Sequence, residues 1–221
     1  MVLNWSPYGP RAILLRFAKS IGPAAFERSV ALQAALVKQP PRGLIEFVPA
    51  FTSILLEFDP RIVPRPADDA PALVERLRRV VTRRQRLRPI QEIPVRYDGP
   101  DLERVARLHS MSVQEVIERH SAPVYRVYML GFSPGFPYLG DLDPKLHTPR
   151  LDTPRTRVPP GSVAIGGEHT GIYTLPTPGG WNLIGSTDRR LFDPVAQETS
   201  SMFLLCSGDR VKFVPQPPGG S

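Results

Sequence analysis

The first 90 residues alternate between apolar patterns with helical and strand periods. Apolar residues recur at helical spacing over residues 23–38, where the Pro40-Pro41 pair ends the predicted helix. A second helix is predicted from about residue 72 to residue 87, after a proline-rich bridge. Short apolar runs predict three strands, at residues 11–17, 44–48 and 53–58. The order β-α-β-β-α predicts a small α+β domain over residues 1–90, a ferredoxin-like sandwich of the split βαβ kind.

The pattern changes after a predicted linker at residues 89–94. Two short helices are predicted, at 101–109 and 112–119, with Asp101 and Ser112 as caps and Glu115 completing a Ser-x-x-Glu box. The remaining predicted elements are short strands, at residues 93–97, 124–130, 162–165, 171–175, 181–184, 202–206 and 210–214. Because closed sheets protect the edges of many short strands, we expect an all-β barrel over residues 91–215. Residues 216–221 are expected to form a disordered tail.

Composition supports a chain rich in turns and short strands. It contains 27 proline and 17 glycine residues among 221, with 41% apolar residues. The single cysteine, Cys206, lies in an apolar stretch and is predicted to be a buried structural thiol. No secretory signal and no apolar run near the ~20 residues of a membrane helix occur in the sequence, so we expect a soluble cytoplasmic protein.

The formal net charge is +7, and much of the excess lies in one predicted helix. Its basic residues are Arg76, Arg78, Arg79, Arg83, Arg84, Arg86 and Arg88. Leucine and valine interleave with them at helical spacing, and no aromatic residue is available to stack on bases. This pattern favours the solvated face of an amphipathic helix over a nucleic-acid site.

Several familiar catalytic patterns are disfavoured. The run Gly131-Phe132-Ser133-Pro134-Gly135 matches G-x-S-x-G, but Pro134 has no N–H for the oxyanion hole that a nucleophile elbow requires. No phosphate-binding glycine loop occurs, and the four histidines have no metal-ligand spacing. A self-contained NTPase or zinc hydrolase is therefore disfavoured, and no metal site is predicted.

Glycine, proline, arginine and aromatic residues concentrate between Gly131 and Asp193. Prolines hold the segment around Arg155 extended, which places Arg155 and Arg157 on the same side, where guanidinium groups suit carboxylate or phosphate. Each glycine of the segment is explained by a turn or by close approach of a ligand. Together they predict an aromatic-walled polar pocket. Its candidate residues are Ser133, Phe136, Tyr138, Arg150, Arg155, Arg157, His169, Thr170, Tyr173, Gly179, Gly180, Trp181 and Asn182.

Residues 125–146 (YRVYMLGFSPGFPYLGDLDPKL), residues 148–187 and Leu191-Phe192-Asp193-Pro194 resemble one family closely. This is the family of the 5-oxoprolinase B subunit, also called allophanate hydrolase subunit 1, which includes a sporulation-kinase inhibitor. The resemblance is dense over about residues 93–214 and weaker before them. It implies a cyclophilin-like barrel, C-type and A-type 5-oxoprolinase subunits as partners, and an ATP site shared with a partner. The implied reaction is the ATP-dependent opening of 5-oxoproline to L-glutamate, with an isolated chain that is inactive.

Two positions depart from the family pattern. Ser186 stands where arginine is common in the I-G-R-T motif, and His169 stands where glutamine is common before Thr170-Gly171. Two other functions remain open for a member of this family. One is a regulatory module that inhibits a sensor histidine kinase, and the other is the carboxyltransferase component of a biotin-dependent urea carboxylase.

Overall fold

The computed structural model describes residues 3–82 and 89–217 of the protein. The chain divides into two compact units, Met1–Arg86 and Leu87–Ser221. Of the predicted tail, residues 218–221 lie outside the described residues, whereas the Gln216 amide donates to the Val95 carbonyl at 2.8 Å.

The first unit is a four-stranded antiparallel sheet with two helices. Its elements are β1 (Asn4–Pro7), β2 (Ala12–Arg16), α1 (Pro23–Lys38), β3 (Leu44–Pro49), β4 (Ser53–Phe58) and α2 (Pro66–Arg78). The strand order is β1-β2-β4-β3, so β4 lies between two strands that α1 connects. Leu15, Leu32 and Leu56 are buried in its core, because alternate strand residues and one helix stripe face each other. The ferredoxin-like assignment stays a prediction.

Two expectations for this unit were wrong in detail. The sequence pattern missed β1, which is only four residues long and ends in a proline. The second helix begins at Pro66 and ends at Arg78, although it was expected over residues 72–87. Pro66 is tolerated in the first turn, and Pro71 is carried because Ala70, Leu73 and Leu77 bury one face of the helix.

The described arginines of the basic helix have bonding partners within the first unit. Arg76 donates to the Gln39 carbonyl at 3.0 Å, and the exposed Arg78 and Arg79 lie 3.3 and 3.7 Å from Glu75. Arg83, Arg84, Arg86 and Arg88 lie outside the described residues. The arginines that are described thus form a solvated helix face.

The second unit is built on a nearly closed, barrel-like sheet. Its strands are β5 (Ile90–Val95), β6 (Tyr125–Leu130), β7 (Pro137–Gly140), β8 (Arg155–Val158), β9 (Ser162–Gly166), β10 (His169–Ile172), β11 (Thr177–Gly179), β12 (Asn182–Ser186) and β13 (Arg210–Pro215). Seven of them pair in the order β12-β9-β10-β7-β6-β13-β5, and β8 pairs with β11 in a separate ribbon. Arg96 and Ser186 exchange backbone hydrogen bonds of 2.9 and 2.7 Å between the two outer strands. This pair closes the sheet.

The helices of the second unit follow its sequence signals with one exception. They are α3 (Leu102–Leu108), α4 (Val113–Ser121) and α5 (Thr199–Met202). The Ser112 hydroxyl accepts a hydrogen bond from the Glu115 amide at 3.1 Å, which confirms the predicted cap of α4. Asp101 stands at the cap position of α3 but makes no side-chain cap bond.

Three further expectations need correction. Residues 89–94 are not a linker, since Ile90–Val95 is strand β5 and pairs in parallel with β13. Residues 202–206 do not form a strand. There, α5 ends at Met202, and Phe203 makes one isolated bridge to Phe192. Cys206 is exposed rather than buried, because the chain turns there and the Cys206 amide is bonded to the Asp209 carboxylate.

Candidate functional site

Four aromatic side chains of the second unit form one cluster. Phe136 precedes β7, Tyr138 lies on β7, Tyr173 follows β10 and Trp181 precedes β12. The ring of Phe136 lies 5.0 Å from Tyr138, 5.2 Å from Tyr173 and 5.4 Å from Trp181, all edge-on. These distances and angles are those of favourable aromatic pairs. Strands β7, β10 and β12 thus bring these four predicted residues together, with Phe136, Tyr173 and Trp181 buried and Tyr138 partly exposed. That they line a binding pocket stays a prediction.

Glycines of the segment make room for these rings rather than for a ligand. A Cβ at Gly166 would lie 2.4 Å from the Trp181 ring, and one at Gly179 would lie 2.3 Å from the Tyr173 hydroxyl. Gly180 differs, because a Cβ there would meet only ordinary contacts at 3.6 Å. Two glycines of the segment therefore approach aromatic side chains of the protein itself, which the sequence did not indicate.

Arg150 brings an exposed positive charge to this cluster. Its guanidinium carbon lies 6.0 Å from the centre of the Trp181 ring, within the range of a cation–π contact. Arg150 also acts electrostatically on Tyr138, Tyr173 and His169. Arg150 and Tyr138 therefore lie beside Trp181, and Tyr173 and His169 lie within reach of the Arg150 charge.

The surroundings of the cluster shift its titratable groups. Burial lowers the pKa of His169, an effect that His147 and Arg150 reinforce and that Glu168 and Asp141 oppose. Burial raises the pKa values of Tyr138 and Tyr173, and Arg150 opposes both shifts. At neutral pH the site therefore combines a neutral imidazole, neutral phenols and the fixed charge of Arg150.

Arg155 is held by a residue that the sequence assigned to another role. Its Nη2 donates to Asp101 Oδ1 at 2.8 Å, and Asp101 Oδ2 accepts from the Leu183 amide at 2.7 Å. Asp101 is therefore a buried link between β8, β12 and the start of α3, not a cap. The other terminal nitrogen of Arg155, Nη1, is buried and has no hydrogen-bond partner among the described residues.

Two predicted pocket residues are used inside the barrel. Asn182 is fully buried, where it accepts from Arg104 and donates to the carbonyls of Pro149 and Ile165. Thr170 is also fully buried, and its hydroxyl donates to the Ala164 carbonyl at 3.0 Å. Their described contacts are structural, and a direct role in binding stays a prediction.

The Thr170 hydroxyl lies in a buried chain with His120 and Tyr97. His120 Nε2 lies 2.8 Å from the Thr170 hydroxyl, and Nδ1 lies 2.8 Å from the Tyr97 hydroxyl. Because Thr170 donates its proton to Ala164, we assign the imidazole proton to Nε2 and the acceptor role to Nδ1. Burial lowers the pKa of His120 to about 3. The imidazole is therefore neutral and fully bonded.

Ser133 lies in a turn, and no base is bonded to its hydroxyl among the residues that the structure describes. Its hydroxyl is 3.3 Å from that of Thr174, and strand β7, not a helix, follows the turn. These contacts agree with the rejection of a nucleophile elbow. Phe132, in the same turn, has a left-handed φ of 67° and an exposed ring that meets Phe136 and Tyr173 edge-on. Arg157 is exposed on β8.

The described residues contain no group of three or more histidine, cysteine, aspartate or glutamate side chains placed to hold a metal ion. Nor, within residues 3–82 and 89–217, is any helix of a length and apolarity that would span a membrane.

Comparison with known families decides the relationship. The family model "Carboxyltransferase domain, subdomain C and D" matches residues 3–203. The chain belongs to this carboxyltransferase-domain family. A relative from Bacillus subtilis, named as a 5-oxoprolinase B subunit, is 41% identical and covers 93% of this chain and 90% of its own length. A relative of the same name from Escherichia coli O157:H7 is 43% identical and covers 96% of this chain and 95% of its own length.

A solved structure of a longer protein extends the comparison. The crystal structure of TTHA0988 matches 96% of this chain with a TM-score of 0.81 and 42% identity. The match covers only 41% of TTHA0988, so that protein carries more than an equal length of additional chain.

Ser186 is one of the two positions expected from the sequence to depart from the family pattern. Its hydroxyl donates to the Asp98 carboxylate at 2.9 Å, next to the backbone pair that closes the barrel. Close by, Arg96 is bonded to Asp188. Ser186 therefore has a local bonding role at the seam of the sheet.

Sequence reasoning missed the residues that position the site from a distance. Asp101, Arg104 and His120 contact predicted site residues across 54, 78 and 50 positions of sequence. Separations of this length leave no periodic signal in a single sequence. Only the closed sheet brings these side chains together.

Proposed function

We propose that this chain is the B-type subunit of an ATP-dependent 5-oxoprolinase, which opens 5-oxoproline to L-glutamate. The observation that carries the proposal is the exposed Arg150 beside the buried Trp181 ring, in a chain whose relatives, named as 5-oxoprolinase B subunits, match more than nine-tenths of its length. The substrate is a small cyclic amide with a carboxylate. The exposed guanidinium suits the carboxylate, and the partly exposed ring of Tyr138 suits the apolar part.

The proposed role of the site is positioning and polarisation. Arg150 holds the carboxylate, the partly exposed Tyr138 contacts the ring, and neutral His169 donates or accepts a hydrogen bond at the amide. Arg155 is fixed by Asp101, whose carboxylate offsets much of its charge, so we assign it a positioning role beside Tyr173. Because the hydroxyl of Ser133 lies against another hydroxyl rather than a base, we do not propose Ser133 as a nucleophile.

ATP and partner subunits complete the proposal. We infer that the chain works with C-type and A-type subunits in the cytoplasm, that ATP is bound at a site shared with a partner, and that the isolated chain is inactive. The names of the relatives, which call them subunits, support partners. The additional length of TTHA0988 is consistent with one partner fused to this kind of chain. We also propose the cyclophilin-like topology for the barrel and the ferredoxin-like one for the first unit.

The test is reconstitution with the partner subunits. We expect the complex to release phosphate from ATP only when 5-oxoproline is present. Arg150→Gln should lower kcat/KM for 5-oxoproline about 10- to 100-fold, the size of one lost charged hydrogen bond. Arg107→Gln is the matched control, since Arg107 is an exposed arginine of the same unit, 3.5 Å from Glu103.

A complex whose ATP hydrolysis ignores 5-oxoproline would contradict the proposal. The family description favours one alternative, a carboxyltransferase component. That function predicts activity with a biotin carboxylase and a biotinylated carrier, and exchange of a carboxyl group instead of ring opening.

A further inference from the structure

The first unit contains a hollow that the site in the barrel does not use. It encloses about 600 Å³ between β2, the start of α1 and the β3–β4 turn, and its lining includes Asn4, Arg16, Lys19, Arg28 and Thr52. A volume of this size is typical of small-molecule sites. Three of the lining residues are basic, and none of those described is acidic. We propose that this hollow binds the phosphate group of a small molecule.

The sequence around the hollow is strongly unbalanced in charge. Residues 1–45 contain six basic residues (Arg11, Arg16, Lys19, Arg28, Lys38 and Arg42) and a single acidic one, Glu27. A concave surface with one sign of charge focuses its field and attracts counter-ions. A phosphate dianion, with more charge and more acceptor oxygens than a carboxylate, matches three cations better than a carboxylate does.

Arg28 supplies a fixed charge to the lining of the hollow. Its side chain is buried, with 5% of the residue exposed, and it donates to the carbonyls of Leu77 and Val80. These acceptors are neutral, so the guanidinium charge is retained without a described carboxylate partner. Burial lowers the pKa of Arg28, yet an arginine remains protonated at neutral pH.

Arg16 and Lys19 supply charges that are free to turn toward a ligand. Both are exposed, and the described hydrogen bond of Arg16 goes to the neutral Ser6 hydroxyl at 3.0 Å. Ala24 and Ala25 from the first turn of α1 also line the hollow, and that turn has neither an acidic residue nor a side-chain cap. The positive end of the helix therefore reinforces the side-chain charges, which carry the argument.

Phosphate can come from two sources, free phosphate or the phosphate chain of a nucleotide. A nucleotide would deepen the proposed function, because it would place part of an ATP site in this unit, and this source rests on that function. The proposal that the hollow binds phosphate does not rest on it. Binding is therefore measured on the full isolated chain, without partners and without an activity assay, so that failure here is distinct from failure of the oxoprolinase proposal.

The experiment is calorimetric titration with inorganic phosphate, with ATP and with glutarate as a dicarboxylate. We expect saturable binding of phosphate that Lys19→Gln weakens about tenfold and that added salt also weakens. Lys38→Gln is the matched control, because it removes the same charge at the exposed C-terminal end of α1, outside the lining of the hollow, and it should change the affinity less than about twofold. A double Arg16→Gln and Lys19→Gln variant should lose binding altogether.

The relative affinities identify the source. ATP binding more tightly than phosphate assigns the hollow to a nucleotide, and equal affinities assign it to free phosphate. Three results would overturn the proposal. They are no saturable heat with phosphate or ATP up to about 10 mM, glutarate binding as tightly as phosphate, and an equal loss of affinity in the Lys38→Gln control.

Discussion

Several arginines of the barrel unit are bonded to carboxylates, whereas the arginines that line the hollow of the first unit are bonded to neutral oxygens. In the barrel, Arg155 is bonded to Asp101, Arg96 to Asp188, and Arg119 to both Glu115 and Asp143. The first unit also pairs charges elsewhere, as in Arg11 with Glu57. In its hollow, however, the described partners of Arg16 and Arg28 are neutral oxygens.

The difference separates arginines that hold other groups in position from arginines whose charge can attract an anion. A guanidinium bonded to a carboxylate is fixed in place, and its field is largely cancelled. A guanidinium bonded to carbonyls or a hydroxyl is also held, but its field remains available to an anion. Net charge or composition alone does not distinguish the two, because both units are rich in arginine.

Breaking a pair in the barrel should have the largest effect. Asp101→Asn removes the charge that compensates Arg155 but keeps an acceptor for the Leu183 amide. We expect the free energy of unfolding to fall by about 2 to 4 kcal/mol, toward the lower end because Arg155 is partly exposed. Urea denaturation measures this change.

Arg155→Gln in the Asp101→Asn background is the control. It removes the uncompensated cation, so part of the lost stability should return. If Asp101→Asn alone leaves stability unchanged, the pairing of charges is not what holds this end of the barrel.

Packing also supports the barrel site. Alanine substitutions at two of its glycines test this packing without changing any charge. Gly166→Ala forces a methyl group onto the Trp181 ring and should lower stability by about 1 to 3 kcal/mol. Gly180→Ala meets only ordinary contacts and should change stability by less than about 0.5 kcal/mol. Equal effects in thermal or urea unfolding would show that the tight approach to Trp181 is unimportant.

The smallest expected effect concerns a basic group that the barrel keeps neutral. The pKa of His120 is about 3 in the folded chain and about 6.5 when exposed, so the unfolded chain takes up the proton first. Stability therefore falls as the pH drops from about 6.5 toward 3, by about 1 kcal/mol between pH 6 and pH 5. Arg28, by contrast, keeps its charge over this range.

His120→Phe keeps the stacking on Phe213 but cannot titrate. At pH 7 this variant should be less stable, because Tyr97 and Thr170 lose a partner. Between pH 6 and pH 5 its stability should change less than that of the natural chain by about 1 kcal/mol. The free energy of unfolding of both proteins is measured by urea denaturation at the two pH values. An equal change in the natural chain and in His120→Phe would contradict a buried neutral imidazole.

Much of the local structure was predictable from periodicity and punctuation. Helix α1 has the predicted bounds, because a clear apolar stripe is followed by two prolines. The Ser112 cap was predictable because its partner, Glu115, is three residues away. Short-range signals failed at two elements. They missed β1, which has only four residues, and they misplaced α2, which begins at Pro66 and continues through Pro71.

The candidate site was predictable only as a set of residue types. The aromatic residues and Arg150 do assemble, but the sequence could not tell an exposed group from a buried one. Asn182 and Thr170 looked as suitable for binding as His169, yet both are enclosed by the barrel. Asp101 looked like a helix cap because its tertiary partners lie 54 and 82 residues away.

The strand order of the barrel also fixes when this unit can form during synthesis. Strand β13, at residues 210–215, lies between β6 and β5, so the sheet lacks a central strand until the ribosome has passed these positions. The parallel pair of β5 and β13 spans about 120 residues, a contact of the kind that slows folding. Until then, nascent chains expose the edges of β5 and β6, which are surfaces that chaperones shield and that aggregation exploits.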